Sequence, residues 1–347
     1  MITLILAFIP LISSYHIAHN LSPLEATVKC SAYQCAPSSY PMPTNYCIQS
    51  NSGIFYLKPC TSSGQYCNTA TGQCSLSPST NSTKSYPGES CTSSSDCLYG
   101  NCISKVCKGL SAGGACLTSD QCQPGLFCNT TNMCQTQLAA GASGCRNSYD
   151  CVNYASCNKT YSTNNGVCVK YASLGYGSVV TDCTGGFSQM CSSAYCSNNN
   201  WMGTIGICLK PPASVNSLPY NCTSSVQCQG FNGTNIFLSQ CQCAYGTTQA
   251  SYCQPFIGDI LGTKLINWWV YASKKSNGKC NTVTRGSDTC LKKLNLYTDI
   301  TEATWQYYNY SQILYNDACV KEIYTAQYWG LSHSKLIELT MLIILII

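Results

Sequence analysis

The sequence predicts a tandem array of small disulfide-rich modules, made of short β-hairpins and loops, followed by a small disulfide-tied, mainly α-helical C-terminal domain. The chain of 347 residues contains 30 cysteines, close to the fraction at which a disulfide scaffold is expected. These cysteines recur in similar sets of four. Only 9% of the residues are charged, and long aliphatic runs are missing from the interior of the chain. Disulfides substitute for a large apolar core in such chains, and they persist only in an oxidising compartment.

Residues 1–18 are predicted to be a signal peptide. The first eleven residues read MITLILAFIPL, a charge-free and mostly apolar run that is too short to span a bilayer as a helix. Cleavage after Ser14 fits the small residues near that position, with cleavage after Ala18 as the alternative. A buried N-terminal strand is the competing interpretation. The cysteines downstream favour export, and we therefore expect the protein to be secreted or to lie on the extracellular face of the plasma membrane.

The repeated unit is clearest over residues 91–134, where eight cysteines form two similar sets. A module at 30–74 precedes it, because GQYCNTATGQC (64–74) matches GLFCNTTNMC (125–134) nearly in register. A Ser/Thr/Pro-rich linker is predicted at 75–90 and tandem repeats at 91–253. The pairing within a set stays open, since four cysteines allow three arrangements. The best-defined predicted disulfide cysteines are Cys91, Cys97, Cys102, Cys107, Cys116, Cys122, Cys128, Cys134, Cys145, Cys151, Cys157 and Cys168.

Looser sets follow these twelve cysteines. Every cysteine of the chain can be assigned to a pair or to a set of four. Cys30 and Cys35 form a pair that is close in sequence, and Cys47, Cys60, Cys67 and Cys74 form the first set. The looser sets are Cys183, Cys191, Cys196, Cys208; Cys222, Cys228, Cys241, Cys243; and Cys253, Cys280, Cys290, Cys319.

The short lead-in to the second cysteine of a set also recurs, as SSSDC, TSDQC, NSYDC and TSSVQC. Ser, Asn and Asp favour turns because their side chains bond nearby backbone amides. Asp96, Asp120 and Asp150 are therefore interpreted as turn residues and not as catalytic carboxylates. Metal binding is not expected either, since no C-x-x-C pair occurs and the chain has only 3 histidines. No metal, cofactor-binding or catalytic residue is assigned.

Several asparagines fit the N-glycosylation pattern, and an exported chain is expected to use several of them. Asn129 and Asn158 directly follow a cysteine, and both are expected on exposed loops. The candidate sites are Asn81, Asn129, Asn158, Asn221, Asn232 and Asn309.

The sequence pattern changes after Cys253, and residues 254–330 are predicted to be a helical domain. Apolar residues from Ile257 to Trp269 recur at helical spacing. A second helix is predicted from Asp299, with Glu302 placed as in a capping box. Between the helices, Cys280 and Cys290 enclose a polar loop. The tryptophans are interpreted as core residues in preference to a ligand platform.

Residues 331–347 form an apolar tail and a possible lipid-anchor signal. The last twelve residues, LIELTMLIILII, are too few for a transmembrane helix. Small residues before an apolar end resemble a glycosylphosphatidylinositol attachment signal, although the polar spacer is short. A tail that packs on the last domain or inserts into the membrane is the alternative. The candidate attachment residues are Gly330, Ser332 and Ser334.

The residues offer no catalytic constellation. A nucleophile activated by histidine is not expected, because the histidines lie at His16, His19 and His333, beside the predicted signal and tail. Phosphate-binding glycine motifs are missing. The net charge of +5 is modest, and the lysine pairs of the C-terminal segment are interpreted as solvated surface and not as a nucleic-acid face. We predict no enzyme, no cofactor and no nucleic-acid partner.

The set Cys116-x5-Cys122-x5-Cys128-x5-Cys134, with Cys91 to Cys107 before it, resembles the Dickkopf N-terminal-like module and the invertebrate EB module. This resemblance is strongest over residues 91–168 and weaker over 47–74 and 183–243. The whole layout is similar to cysteine-periodic surface proteins of ciliates, which are exported and often lipid-anchored. The resemblance implies an extracellular cysteine-rich glycoprotein with a structural coat role or a role in binding a protein or glycan. A freely secreted binding module, such as a ligand trap or protease inhibitor, is the alternative.

Overall fold

The computed structural model describes residues 26–35, 46–52, 54–60, 65–68, 71–76, 84–159, 165–184, 186–197, 205–246, 248–308 and 310–313. The predicted signal peptide and tail lie outside the described residues, as do Asn81 and Asn309. The described chain divides into two compact units. The first unit contains residues 84–213 and 256–300, and the second contains residues 26–76, 214–255 and 301–313.

The described strands are short and pair within small sheets of two or three strands. This architecture is that of small disulfide-rich modules. The strands are β1 Tyr33–Cys35, β2 Tyr46–Asn51, β3 Ile54–Pro59, β4 Gln65–Asn68, β5 Gln73–Leu76, β6 Asn101–Ile103, β7 Val106–Lys108, β8 Leu126–Cys128, β9 Cys134–Thr136, β10 Ser143–Cys145, β11 Ala155–Asn158, β12 Gly166–Lys170, β13 Val179–Val180, β14 Cys196–Ser197, β15 Gly206–Cys208, β16 Ala213–Ser214, β17 Gln229–Asn232, β18 Asn235–Leu238, β19 Cys241–Cys243 and β20 Ser251–Cys253. The α-helices are α1 Ile260–Ser276, α2 Asp288–Lys293, α3 Tyr297–Tyr308 and α4 Tyr310–Ile313.

Six modules share one disulfide connectivity, which the sequence left open. In each set the first cysteine bonds to the third and the second bonds to the fourth. None of the described cysteines is free. The bonds are Cys47–Cys67 and Cys60–Cys74, Cys91–Cys102 and Cys97–Cys107, Cys116–Cys128 and Cys122–Cys134, Cys145–Cys157 and Cys151–Cys168, Cys183–Cys196 and Cys191–Cys208, and Cys222–Cys241 and Cys228–Cys253.

The third and fourth cysteines of every module face each other across an antiparallel hairpin, as Cys157 and Cys168 do in β11 and β12. Side chains directly opposite in such a pair lie on the same face of the sheet. The two sulfurs therefore reach together toward the first and second cysteines, and the buried core of a module is largely its two disulfides. Gly166 is needed beside them, because a Cβ there would lie 2.5 Å from the Cys157 sulfur.

A lead-in segment before the first cysteine completes each module of the first unit. Leu110 pairs with Cys122 in parallel and Leu138 pairs with Cys151 in the same way. After this pairing the chain turns at a glycine whose N–H donates to the carbonyl of the fourth cysteine, as Gly113 does to Cys134 at 2.8 Å. Gly113 has a φ of +81°, a conformation that favours glycine. Ser85, inside the predicted linker 75–90, makes the equivalent bridge to Cys97.

The last two predicted cysteine sets are wrong. Cys253 is the fourth cysteine of the module that begins at Cys222, because it lies directly opposite Cys241 across β19 and β20. Cys243 instead bonds to Cys30, and Cys280 bonds to Cys290. Cys319 lies outside the described residues.

The helical segment differs from its prediction in three respects. Helix α1 buries the small residues Gly262, Ala272, Ser273 and Ser276, whereas Ile260 is 82% exposed. The predicted apolar face is therefore only half-buried, and of its residues Trp268 packs against the buried cluster that contains Ala272. Helix α2 begins inside the stretch predicted as a loop between Cys280 and Cys290 and ends three residues after it. The Ser287 hydroxyl accepts from the Cys290 N–H at its start. Helix α3 begins two residues before the predicted start, and Glu302 accepts from Gln306 within the helix.

Candidate functional site

The most elaborate buried polar site of the first unit joins the segment 276–285 to the modules 116–134 and 145–168. Asn281 is fully buried. Its Nδ2 donates to the carbonyls of Asp120 at 3.1 Å and of Cys122 at 2.9 Å, and its Oδ1 accepts from the Val283 N–H at 2.9 Å. One carboxamide thus satisfies two buried carbonyls beside the second cysteine of the module, which removes a desolvation cost of about 1–3 kcal/mol per group.

Module 145–168 has the same pair of carbonyls, and a different amide shares it with the Thr282 hydroxyl, which donates to the Tyr149 carbonyl at 2.9 Å. The Nε2 of Gln137 donates to the carbonyl of Cys151 at 2.6 Å and contacts that of Tyr149 at 3.3 Å. Gln137 precedes the lead-in residue Leu138, whereas Gly109 occupies this place in the preceding module. A Cβ on Gly109 would lie 2.5 Å from the Gln121 carbonyl. Because no side chain fits there, the amide comes from Asn281.

Further bonds extend the site across module 145–168. The Nδ2 of Asn153 donates to the carbonyls of Ser276 at 2.9 Å and of Cys280 at 3.1 Å. Arg285 donates to the Ser148 carbonyl at 3.0 Å, and its guanidinium lies 5.9 Å and 5.8 Å from the ring centroids of Tyr149 and Tyr171. Trp269 packs on Tyr171 with ring centroids 4.4 Å apart. The segment therefore binds the modules mainly through amides, backbone carbonyls and aromatic faces.

The turn before the second cysteine is closed by a recurring side-chain bond. The carboxylate of Asp96 accepts from the Thr92 N–H at 2.8 Å, and the Oε1 of Gln121 accepts from the Leu117 N–H at 2.7 Å. Asp150 accepts from the Arg146 N–H at 2.8 Å and also pairs with the Arg146 guanidinium. The hydroxyl and N–H of Thr92, followed by the N–H and hydroxyl of Ser93, hold the pKa of Asp96 well below its ordinary value. Asp96 and Asp150 thus take part in these turn contacts.

Asp120 lies two residues before the second cysteine of its module, one position earlier than Asp96 and Asp150 in theirs, and its contacts differ. Its side chain is buried, and within the described part of the chain its Oδ1 has no hydrogen-bond partner. Burial, followed by the charge of Asp120, raises the pKa of the neighbouring Tyr99 hydroxyl. No histidine lies among the described residues, and the remaining carboxylates of the modules accept from neighbouring backbone or hydroxyl groups, as Asp182 does from Ser188 at 2.6 Å.

Groups of three cysteine sulfurs lie within 4.8 Å of one another in five modules. Each group consists of sulfurs that belong to the two disulfides of one module. A thiolate is the form of cysteine that binds a metal, and bonded sulfurs do not supply one. The candidate site is therefore a set of structural amide contacts. The sequence did not predict Gln137, Asn153 and Asn281 as its members, because isolated amides follow no sequence pattern.

Three of the four described sequons lie at the ends or turns of hairpins. Asn129 follows β8 and is half-buried, and its Oδ1 accepts from the backbone N–H groups of Thr131 and Met133, both at 3.0 Å. Asn158 ends β11 and is also half-buried. Asn221 is exposed, and Asn232 ends β17 at its turn into β18. Their use as glycosylation sites stays a prediction.

Comparison with known proteins finds no match: no family model, no curated protein and no solved structure corresponds to the chain. Within the described residues, none of the helices has both the length and the apolar character needed to cross a membrane. The heavy disulfide bonding itself indicates an extracellular cysteine-rich protein, because such bonds are stable in oxidising compartments.

Proposed function

We propose that this protein is a cell-surface glycoprotein whose disulfide modules form a structural coat or a binding scaffold. The observation that carries the proposal is the common connectivity of the six modules, in which every bond joins cysteines separated by 10 to 25 residues. Bonds closing loops of this size contribute about 3 kcal/mol each. A chain that depends on them to this extent requires an oxidising compartment, and this supports an extracellular location.

We propose further that the protein has no catalytic activity and needs no cofactor. Several polar groups that catalysis could use are engaged in structural contacts: Asp150 pairs with Arg146, and Asn281 binds carbonyls. The partner would be a protein or glycan, and not a nucleic acid. Two of the lysines that could bind phosphates lie over the chain's own rings, Lys275 at 5.4 Å from the Tyr271 ring centroid and Lys292 at 4.4 Å from that of Tyr297.

Expression of the full chain in a eukaryotic secretory host tests this proposal. Mass spectrometry of the product should find the six pairs of module disulfides, occupied sequons and a shortened C-terminus carrying a glycosylphosphatidylinositol anchor at Gly330, Ser332 or Ser334. Phosphatidylinositol-specific phospholipase C should release the protein from cells. Many free thiols would contradict extracellular export.

The freely secreted binding module is the alternative function, and the same experiment separates the two. Intact protein in the medium with residues 336–347 retained favours the alternative. The common connectivity of the modules fits both functions, and so does the resemblance of residues 91–168 to Dickkopf N-terminal-like and EB modules, which we retain as a proposal.

A further inference from the structure

The side chain of Asn158 bonds to the lead-in segment of the next module. Its Nδ2 donates to the Val179 carbonyl at 3.0 Å, and its Oδ1 accepts from the Thr181 N–H at 3.0 Å. These two backbone groups flank Val180, which belongs to β13, an edge strand of the three-stranded sheet of module 183–208. The carboxamide thus occupies the position that a neighbouring strand would take and covers part of the open edge.

Two further bonds reinforce this contact. The Thr181 hydroxyl donates to the Oδ1 of Asn158 at 3.1 Å and accepts from the Lys159 N–H at 2.9 Å. We call this set the module junction (Asn158, Lys159, Val179 and Thr181). We propose that Asn158, although it lies in a glycosylation sequon, remains unmodified in the native protein because its carboxamide holds the module junction, and that a glycan at Nδ2 and the junction exclude each other.

The exclusion follows from the geometry of a secondary amide. An Asn side chain has two N–H donors and one carbonyl acceptor. To bond Val179 and Thr181 from one edge, Asn158 must use its Oδ1 together with the N–H on the same side as that oxygen. A glycan makes Nδ2 a secondary amide, and the trans form, favoured by about 2.5 kcal/mol, places the substituent on that same side. The sugar would therefore replace the hydrogen that reaches the Val179 carbonyl.

Asn129 occupies the same place in its module, directly after the third cysteine, and lacks this conflict. Its Oδ1 accepts from the Thr131 and Met133 N–H groups of its own hairpin, and among the described residues its Nδ2 donates only to the exposed Gln135 side chain. A glycan on Asn129 leaves both backbone bonds intact. The structure therefore separates two sequons that look alike in the sequence.

Paired substitutions test the proposal in the full-length protein expressed in a secretory host. Thr160→Ala destroys the sequon and keeps the carboxamide, whereas Asn158→Ala removes both. Hydrogen exchange of the Thr181 amide should accelerate about tenfold in Asn158→Ala, as expected for loss of one hydrogen bond, and should be unchanged in Thr160→Ala. Asn129→Ala is the control for loss of an amide elsewhere, and it should leave Thr181 unchanged. Peptide mapping of the unsubstituted protein should find Asn158 bare and Asn129 occupied.

A secreted, folded protein that carries a glycan on Asn158 would overturn the proposal, as would Thr181 exchange that does not respond to Asn158→Ala. Equal effects of Thr160→Ala and Asn158→Ala would also overturn it, because they would make the glycan the important group. If the host glycosylates none of the sequons, the proposal is tested by the effect of Asn158→Ala on the exchange rate of the Thr181 amide. Failure of the proposed function gives a different result, namely a retained or intracellular protein with an unaltered exchange pattern.

Discussion

The neighbouring modules 116–134 and 145–168 share their internal construction and differ in their external contacts. Both have the same disulfide connectivity, the same glycine turn before the first cysteine and the same carbonyl pair beside the second. In the first module Asn281, 159 residues beyond Cys122, fills the carbonyl pair. In the second module Gln137, from the lead-in segment of the module itself, bonds the Cys151 carbonyl, and the Thr282 hydroxyl bonds the Tyr149 carbonyl.

The asparagine after the third cysteine shows the same contrast. Asn129 closes its own hairpin, whereas Asn158 bonds to the next module. Disulfides and hairpin register therefore define the module, and single carboxamides are among the groups that determine what each module contacts. Because a carboxamide offers both donors and an acceptor, one substitution can redirect a contact without disturbing the module.

Loss of a module disulfide should have the largest effect and should be similar in both modules. We expect Cys122→Ala/Cys134→Ala and Cys151→Ala/Cys168→Ala each to lower the free energy of unfolding by about 3 kcal/mol, since the closed loops have similar lengths. Hydrogen exchange of the amides in each hairpin measures the loss. Cys280→Ala/Cys290→Ala is the control outside the modules, and its effect should leave both hairpins intact. A large effect in one module alone would contradict a shared framework.

Truncation of the amides should have a smaller effect that differs between the modules. Asn281→Ala leaves the carbonyls of Asp120 and Cys122 buried and unsatisfied, and we expect a loss of about 2–3 kcal/mol. Gln137→Ala should cost about 1 kcal/mol, because in the described structure the Oε1 of Gln137 is itself buried without a partner and its removal offsets part of the loss.

Urea unfolding and limited proteolysis near residues 276–285 measure this difference. Gln135→Ala is a matched control, since this exposed side chain contacts only the Asn129 side chain among the described contacts. If Asn281→Ala and Gln137→Ala lower the free energy of unfolding equally, then the fully hydrogen-bonded amide of Asn281 does not contribute more than that of Gln137, and the prediction is wrong.

The modular architecture could be predicted from the sequence, and the contacts between modules could not. The spacing of Cys91 to Cys134 predicts disulfide modules directly, because each module needs four cysteines at similar positions and the cysteines therefore recur periodically. The contacts of Asn158 and Asn281 depend on backbone groups far away in sequence, and no local pattern marks them. Helix α1 was predicted, but its buried positions were not, because it buries small residues such as Ala272 and Ser276, while Trp269 lies beside Tyr171.

The turn before the second cysteine provides the smallest expected effect, which depends on pH. Asp96 closes this turn in module 91–107 with an ionisable group, and Gln121 closes it in module 116–134 with a neutral one. The pKa of Asp96 is lowered in the folded protein, chiefly by the Thr92 hydroxyl and N–H. The carboxylate therefore contributes stability that is complete above the unfolded pKa of about 3.9 and is lost as the pH falls through the folded pKa.

We expect the Thr92 and Ser93 amide signals in NMR spectra to shift as acid protonates Asp96, at a pH below the range in which an ordinary aspartate titrates, since its pKa is lowered in the folded protein. Leu117 in the equivalent turn should not respond, because Gln121 does not titrate. Asp96→Asn should remove the pH response and keep an acceptor for the Thr92 N–H. If the Leu117 amide shifts over the same pH range, then the change reflects general acid unfolding, and the assignment of Asp96 as the titrating group of its turn is wrong.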